Sequence, residues 1–115
     1  MKTLYLTRRQ QIEINDIMYL QSESNYTLIH TINQAKTIAS QTLHLIHSSI
    51  NYDNFVRISR SYILNIEHIS TYSLENNKLT LKLSNGEKFI ASRRRIKNCL
   101  DKIKIAQKRS SELKA

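Results

Sequence analysis

One glycine and no proline in 115 residues leave this chain almost without the residues that usually end strands and shape loops. Asn, Ser and Asp must therefore supply the turns, because their short polar side chains bond to nearby backbone and tolerate left-handed conformations. One glycine cannot build a glycine-rich phosphate loop or a nucleophile elbow, so the common nucleotide-binding and hydrolase loops are excluded. The one glycine falls in Ser84-Asn85-Gly86, a strong hairpin signal. With Gly86 in the left-handed position of a three-residue loop, Leu81 falls opposite Phe89. A two-residue Asn-Gly turn would pair Leu81 with Ile90 instead, and both registers stay open.

Between these sparse markers the apolar residues mostly follow strand spacing. Residues 12–14 and 17–20 are short apolar pieces split by a turn at Asn15-Asp16, and residues 21–25 (QSESN) read as a polar loop. Residues 26–32 alternate, with Tyr26, Leu28, His30 and Ile32 on one face and Thr27, Ile29 and Thr31 on the other, the period of a β-strand. Residues 36–39 can pair back on it. In residues 41–50 (QTLHLIHSSI), Leu43, Ile46 and Ile50 share one helical face, with Ser40 as the expected N-cap. Residues 51–54 (NYDN) form a turn by composition. Residues 55–58 and 62–64 are strand-like again, and residues 66–74 lead to a tight turn at Asn76-Asn77. Strands at 79–83 and 88–91 flank the Gly86 hairpin. From Arg93 the period changes: Ile96, Cys99, Leu100 and Ile103 mark a helix with one apolar stripe, and Ser92 is the expected N-cap. The last ten residues, AQKRSSELKA, are polar and expected to fray. The pattern predicts a mainly β domain with one short internal helix and a C-terminal helix, covering residues 1–105, and a polar tail at 106–115.

Charge is distributed unevenly along this plan. The net charge is +9, yet residues 1–55 hold four basic and four acidic residues, so residues 56–115, with fourteen against five, carry the whole surplus. One-sided charge of this size points to a polyanionic partner, nucleic acid before an acidic membrane surface. A single cysteine, Cys99, cannot form an internal disulfide, and a reducing cytoplasm is the expected location. No stretch approaches the roughly 18 consecutive apolar residues of a membrane span, and the N-terminus lacks the apolar run of a signal peptide.

Two arginine-bearing stretches stand out. In ASRRRIKN, Arg93, Arg94 and Arg95 crowd a helix start, where the partial positive charge of the helix disfavours cations. With α-helical steps and Ile96 facing the core, Arg94 lies about 160° away and points most directly outward. A grip on a polyanion and a solvated charge run are the two readings. In FVRISRSYILN, Arg57 and Arg60 stand between residues with a core pattern. Arginine offers a flat fork of donors suited to phosphate oxygens and to the O6/N7 edge of guanine, and Ser59 and Ser61 can add hydroxyl contacts to phosphates. Arg57 equally fits a role along the core edge or in an ion pair.

FVRISRSYILN resembles the most characteristic segment of LytTR DNA-binding domains. INDIMYLQSESNYTLIHT resembles the opening segment of that family, residues 41–50 stand where it has a short helix, and LSNGEKFIASRRRIKNCL resembles its closing segment. Together these cover residues 11–104 in order. The departures are Ser59 where His is common, Leu64 where Val is usual, and Ser24 where Gly often precedes the Asn-Tyr pair. The resemblance implies an elongated sandwich of short antiparallel β-sheets that inserts loops into successive major grooves of double-stranded DNA. Carried over position by position, it implies base contacts from Asn25, Tyr26, Arg60 and Arg94. Phosphate contacts then fall to Arg57, Ser59, Ser61, Ser92, Arg93, Arg95 and Lys97. It further implies a bacterial transcription regulator, commonly governed by the receiver of a two-component system and bound to paired sites as a homodimer.

The remaining motifs point elsewhere less well. His44 and His47 have helical metal spacing, but no Cys or carboxylate ligand accompanies them, so no metal, cofactor or small-molecule substrate is expected. No catalytic constellation is identifiable, and the histidines read as surface or half-buried β residues. The alternatives to specific DNA binding are a non-specific RNA or single-strand module and a protein-interaction module for an acidic partner. Six tyrosines scattered along the chain count against the first, which would stack bases on paired aromatics.

Overall fold

Strand periodicity governs most of the chain in the computed structural model, which describes residues 3–6, 10–33, 35–50 and 54–114. The central layer is a five-stranded antiparallel sheet built from β3 (Ile17–Glu23), β4 (Tyr26–Thr31), β5 (Lys36–Ala39), β6 (Phe55–Arg57) and β7 (Tyr62–Asn65), in the order β5-β4-β3-β7-β6. A second sheet, ordered β10-β9-β8, joins β8 (Ile69–Glu75), β9 (Lys78–Leu83) and β10 (Lys88–Ile90). A two-stranded sheet pairs β1 (Thr3–Tyr5), which the sequence pattern did not reveal, with β2 (Gln11–Glu13). The helices are α1 (Leu43–Ile50) and α2 (Ile96–Lys114). The longest dimension is nearly twice the shortest, 42 × 36 × 24 Å, in keeping with the elongated sandwich that the resemblance implies.

Alternation sends successive residues of the central sheet into two separate cores. Ile17, Leu20, Ile29, Phe55 and Ile63 pack on one side with Leu4, Leu43 and Ile46. Met18, Tyr19, Val56 and Leu64 pack on the other with Leu79, Leu81, Leu83, Phe89, Cys99 and Ile103. Met18 and Tyr19 share a side because a β-bulge between Ile17 and Tyr19 inserts one unpaired residue, which shifts the alternation by one. Aromatic rings pin the two larger sheets together: Tyr19 stacks on His30 at 4.1 Å and meets Phe89 edge-on at 4.9 Å, and Phe89 meets Tyr62 at 5.0 Å. The Tyr19 hydroxyl donates to Glu87 at 2.9 Å, and burial, reinforced by that carboxylate, pushes the phenol well above its ordinary range.

The turns bear out the compensations expected of a glycine-poor chain. Asn76 and Asn77 both have positive φ, the requirement of a tight type I′ hairpin. Gly86 sits at φ +95° in a three-residue loop, and Leu81 pairs with Phe89, so the first of the two registers holds. Residues 21–23 are strand rather than loop, and the turn shrinks to Ser24-Asn25, with Ser24 at φ 52°. The buried face of β4 is Thr27 and Ile29. Thr27 escapes the cost of burial by donating its hydroxyl to the Gln41 carbonyl at 2.9 Å.

Of the two expected serine caps, Ser40 is corrected and Ser92 holds the cap position without a side-chain cap bond. Helix α1 begins at Leu43, and Ile46 N–H reaches the Thr42 carbonyl, which leaves Ser40 outside it. Ser92 does precede the arginine turn, but its hydroxyl caps no helical N–H and donates to the Ile58 carbonyl at 3.3 Å. The helical backbone also continues through Lys114, beyond the expected end, and Ala106 packs against the second core. Most of the turn expected at 51–54 lies outside the described residues.

One feature of α2 fixes the geometry of the site. β6 is an edge strand, and an edge leaves alternate carbonyls unpaired. Lys102 Nζ donates to the Phe55 carbonyl at 2.9 Å, and Cys99 Sγ donates to that of Arg57 at 3.6 Å. Ser92 N–H donates to the Ile58 carbonyl at 2.8 Å. The helix and the residue that leads into it thus cover the open edge.

Candidate nucleic-acid interface

The Ser24-Asn25 turn closes the β3–β4 hairpin, where Glu23 pairs with Tyr26. Asn25 is exposed, and Tyr26, 36% exposed, stands outside both cores. A shallow cavity of about 450 Å³ lies elsewhere, between β3, β4 and the Gly86 hairpin. Tyr26 instead lines a depression with Leu6, Ile38 and Gln41.

The second arginine stretch forms the β6–β7 connection. Ile58 N–H bonds to the Tyr62 carbonyl at 3.1 Å, which leaves Ser59, Arg60 and Ser61 as the loop. No proline stiffens it; side chains do. Arg57 Nε donates to the Ser59 carbonyl at 3.2 Å and Arg57 Nη2 to the Arg60 carbonyl at 2.9 Å. Ser59 Oγ accepts the N–H groups of Ser61 and Tyr62, each at 3.2 Å. Arg60 and Ser61 are exposed, whereas Arg57 and Ser59 are half-buried.

The third element is the arginine triplet. Arg93–Arg95 form a 3₁₀ turn rather than the start of the α-helix proper, so side chains step by about 120° instead of 100°. The α-helical fan that singled out Arg94 is therefore replaced: Arg93 and Arg94 are both exposed, and Arg95 is half-buried. Lys97, one turn further, is exposed as well.

Two backbone bonds join these three elements at one end of the central sheet. Ser22 N–H, two residues before the first turn, donates to the Ser61 carbonyl at 2.8 Å. Ser92 N–H, beside the arginine triplet, donates to the Ile58 carbonyl at 2.8 Å. Residues from three distant parts of the sequence are thereby placed side by side.

Around the second loop the neighbouring charges are of one sign. Burial first, and then the neighbouring Arg95 and Arg60, draw the Arg57 guanidinium below its ordinary pKa. His47 is likewise lowered, by burial and then by Lys102, Arg57, His44 and Arg95. Among the described residues, the Lys and Arg side chains acting on these two groups are Lys102, Arg57, Arg60 and Arg95. Such a cluster repels itself when free and is relieved by a polyanion. Lys102, His44 and His47 were not anticipated here. The histidine pair was visible as an i, i+3 spacing on a helix, but its approach to Arg57 depends on α1 packing over Phe55 while Lys102 holds the carbonyl of that residue. Among the described residues, no group of three metal-ligating side chains occurs.

The chain is similar in sequence to a family model and in fold to a solved structure. The family model described as the LytTr DNA-binding domain matches residues 7–113. Among solved structures, a domain from Bacillus cereus described as a LytTr DNA-binding domain superposes with a TM-score of 0.72 at 22% identity. That match covers 89% of this chain and 94% of the other. No curated protein matches. The match over nearly the whole length places the chain in the LytTR family, whose members are DNA-binding regulatory domains rather than enzymes.

Proposed function

We propose that this chain binds double-stranded DNA sequence-specifically, as the recognition domain of a bacterial transcription regulator acting in the cytoplasm. The observation that carries the reading is the convergence of three loops at one end of the central sheet, tied by the Ser22–Ser61 and Ser92–Ile58 backbone bonds. Arg60 and Arg94 read base edges in the major groove, where a bidentate arginine discriminates guanine by about 1–3 kcal/mol. Asn25 and Tyr26 supply the third base contact. Ser61, Arg93, Arg95 and Lys97 hold phosphates, and this sequence-independent attraction makes affinity fall with salt. Ser59 retains a hydroxyl proton for a phosphate, while Ser92 would first have to release the Ile58 carbonyl. Two copies on paired sites complete the assembly.

Selection of bound sequences from random duplexes tests this reading directly, followed by competition with unrelated duplexes and single strands. A preferred duplex motif is expected, and equal affinity for all competitors would refute it. Arg94→Ala and Arg60→Ala should each cost about 1–3 kcal/mol and relax base preference. Lys108→Ala, on an exposed part of α2, should cost little; an equal loss there would mean that the interface lies elsewhere.

A further inference from the structure

The β6–β7 loop must hold its shape without glycine or proline, and its three carbonyls show how. Ser61 O accepts from Ser22 N–H, and Ser59 O and Arg60 O accept from one guanidinium, that of Arg57. Nε and Nη2 lie on the same edge of that planar group, so two neighbouring carbonyls are fixed relative to one another by a rigid fork. Lysine has the charge but a single donor centre on a flexible stem. Arg57 is half-buried while Arg60 is exposed, so the two arginines of FVRISRSYILN have different environments.

We propose that Arg57 is a positioning residue: its guanidinium fork sets the backbone that presents Arg60, and so governs base discrimination through Arg60. A phosphate contact is the competing role for the same side chain. The proposal rests on the DNA-reading function above. Its physical basis is that Arg57 bonds to the carbonyl of Arg60 itself, so loss of the fork frees the peptide that carries the reading side chain. The cationic neighbours Arg95 and Arg60 make this bonding more telling, since the Ser59 and Arg60 carbonyl oxygens offset repulsion within the loop.

Arg57→Lys separates the two roles, with Arg57→Ala and Arg60→Ala beside it and thermal melting as the check on folding. In the free protein, amide exchange at Ser61 and Tyr62 should quicken at least about tenfold in Arg57→Lys, as expected when a local opening becomes easier. On DNA, the ratio of affinities for the selected duplex and for one altered at the base read by Arg60 should fall at least about tenfold. The slope of log affinity against log salt should stay that of the wild type. Adding Arg60→Ala to Arg57→Lys should lower the ratio little further, because the two act as one unit. The proposal is overturned if Arg57→Lys keeps wild-type exchange and discrimination while Arg57→Ala lowers the salt slope by about 0.9, the mark of one lost phosphate contact. A wild-type protein with no duplex preference would instead refute the DNA reading, and the exchange measurement would then decide the role of Arg57 alone.

Discussion

The two loops that flank the Ser22–Ser61 bond solve the same problem in opposite ways. The Ser24-Asn25 turn is two residues long and set by the twist of its strands, at the cost of placing Ser24 at φ 52°. The Ser59–Ser61 loop is set from within, by the Arg57 fork and the Ser59 hydroxyl. One stores backbone strain, whereas the other uses side-chain bonds that the sequence alone can alter. In a chain with one glycine, this contrast shows which loops tolerate substitution: the first should gain from a glycine, and the second should lose from almost any change.

The largest test removes the base on which the second loop stands. Phe55 is fully buried, and its carbonyl anchors Lys102. Phe55→Ala should destabilise the domain by about 3–5 kcal/mol in urea unfolding, and a loss below 1 kcal/mol would show that the loop does not depend on this core. Next, Ser59→Ala deprives two backbone N–H groups of their acceptor and should cost about 1–2 kcal/mol. A neutral result would mean that water replaces the hydroxyl. Ser24→Gly should act in the opposite direction and stabilise by about 0.5–1 kcal/mol, since the strain relieved exceeds the extra chain entropy. If it destabilises, the contrast between the loops fails.

The smallest effect is acid sensitivity. His30, on the strand leaving the first turn, and His47, behind the second loop, are both held below the ordinary histidine pKa, chiefly by burial. The unfolded chain therefore binds more protons than the folded one as pH falls below about 6.5, and stability must drop there. Urea midpoints should be flat above pH 7 and decline towards pH 5, with His30→Gln and His47→Gln each removing part of the decline. Midpoints that rise on acidification would contradict both assignments.

What could be read in advance divides along the same line. The tight turns at Asn76-Asn77 and Gly86 were legible because their backbone demands residue types with a known tolerance for positive φ. Residues 21–23 were not, because a polar strand that ends beside solvent shows no apolar alternation. The Ser40 cap failed because a serine before a helix is a common signal; Ser92 does take the cap position, but its hydroxyl answers to a carbonyl 34 residues away. Arg60 and Arg94 stood out by charge and position, and both lie exposed at the shared end of the sheet. The separate environment of Arg57 was hidden, since nothing in FVRISRSYILN reveals that a loop would fold its carbonyls back onto its own first arginine. The convergence itself depends on strand order, which joins residues such as Ser22 and Ser61 that are far apart in the chain.

The Cys99 contact with β6 carries a practical consequence. This thiol is the only one in the chain; it is fully buried, and burial raises its pKa to about 11. Reagents that attack thiolates will find almost none while α2 is seated. Alkylation of Cys99 therefore becomes a clock for the helix lifting from the sheet edge, and if the proposed DNA contact at the adjoining arginine turn holds, adding a duplex should slow that clock.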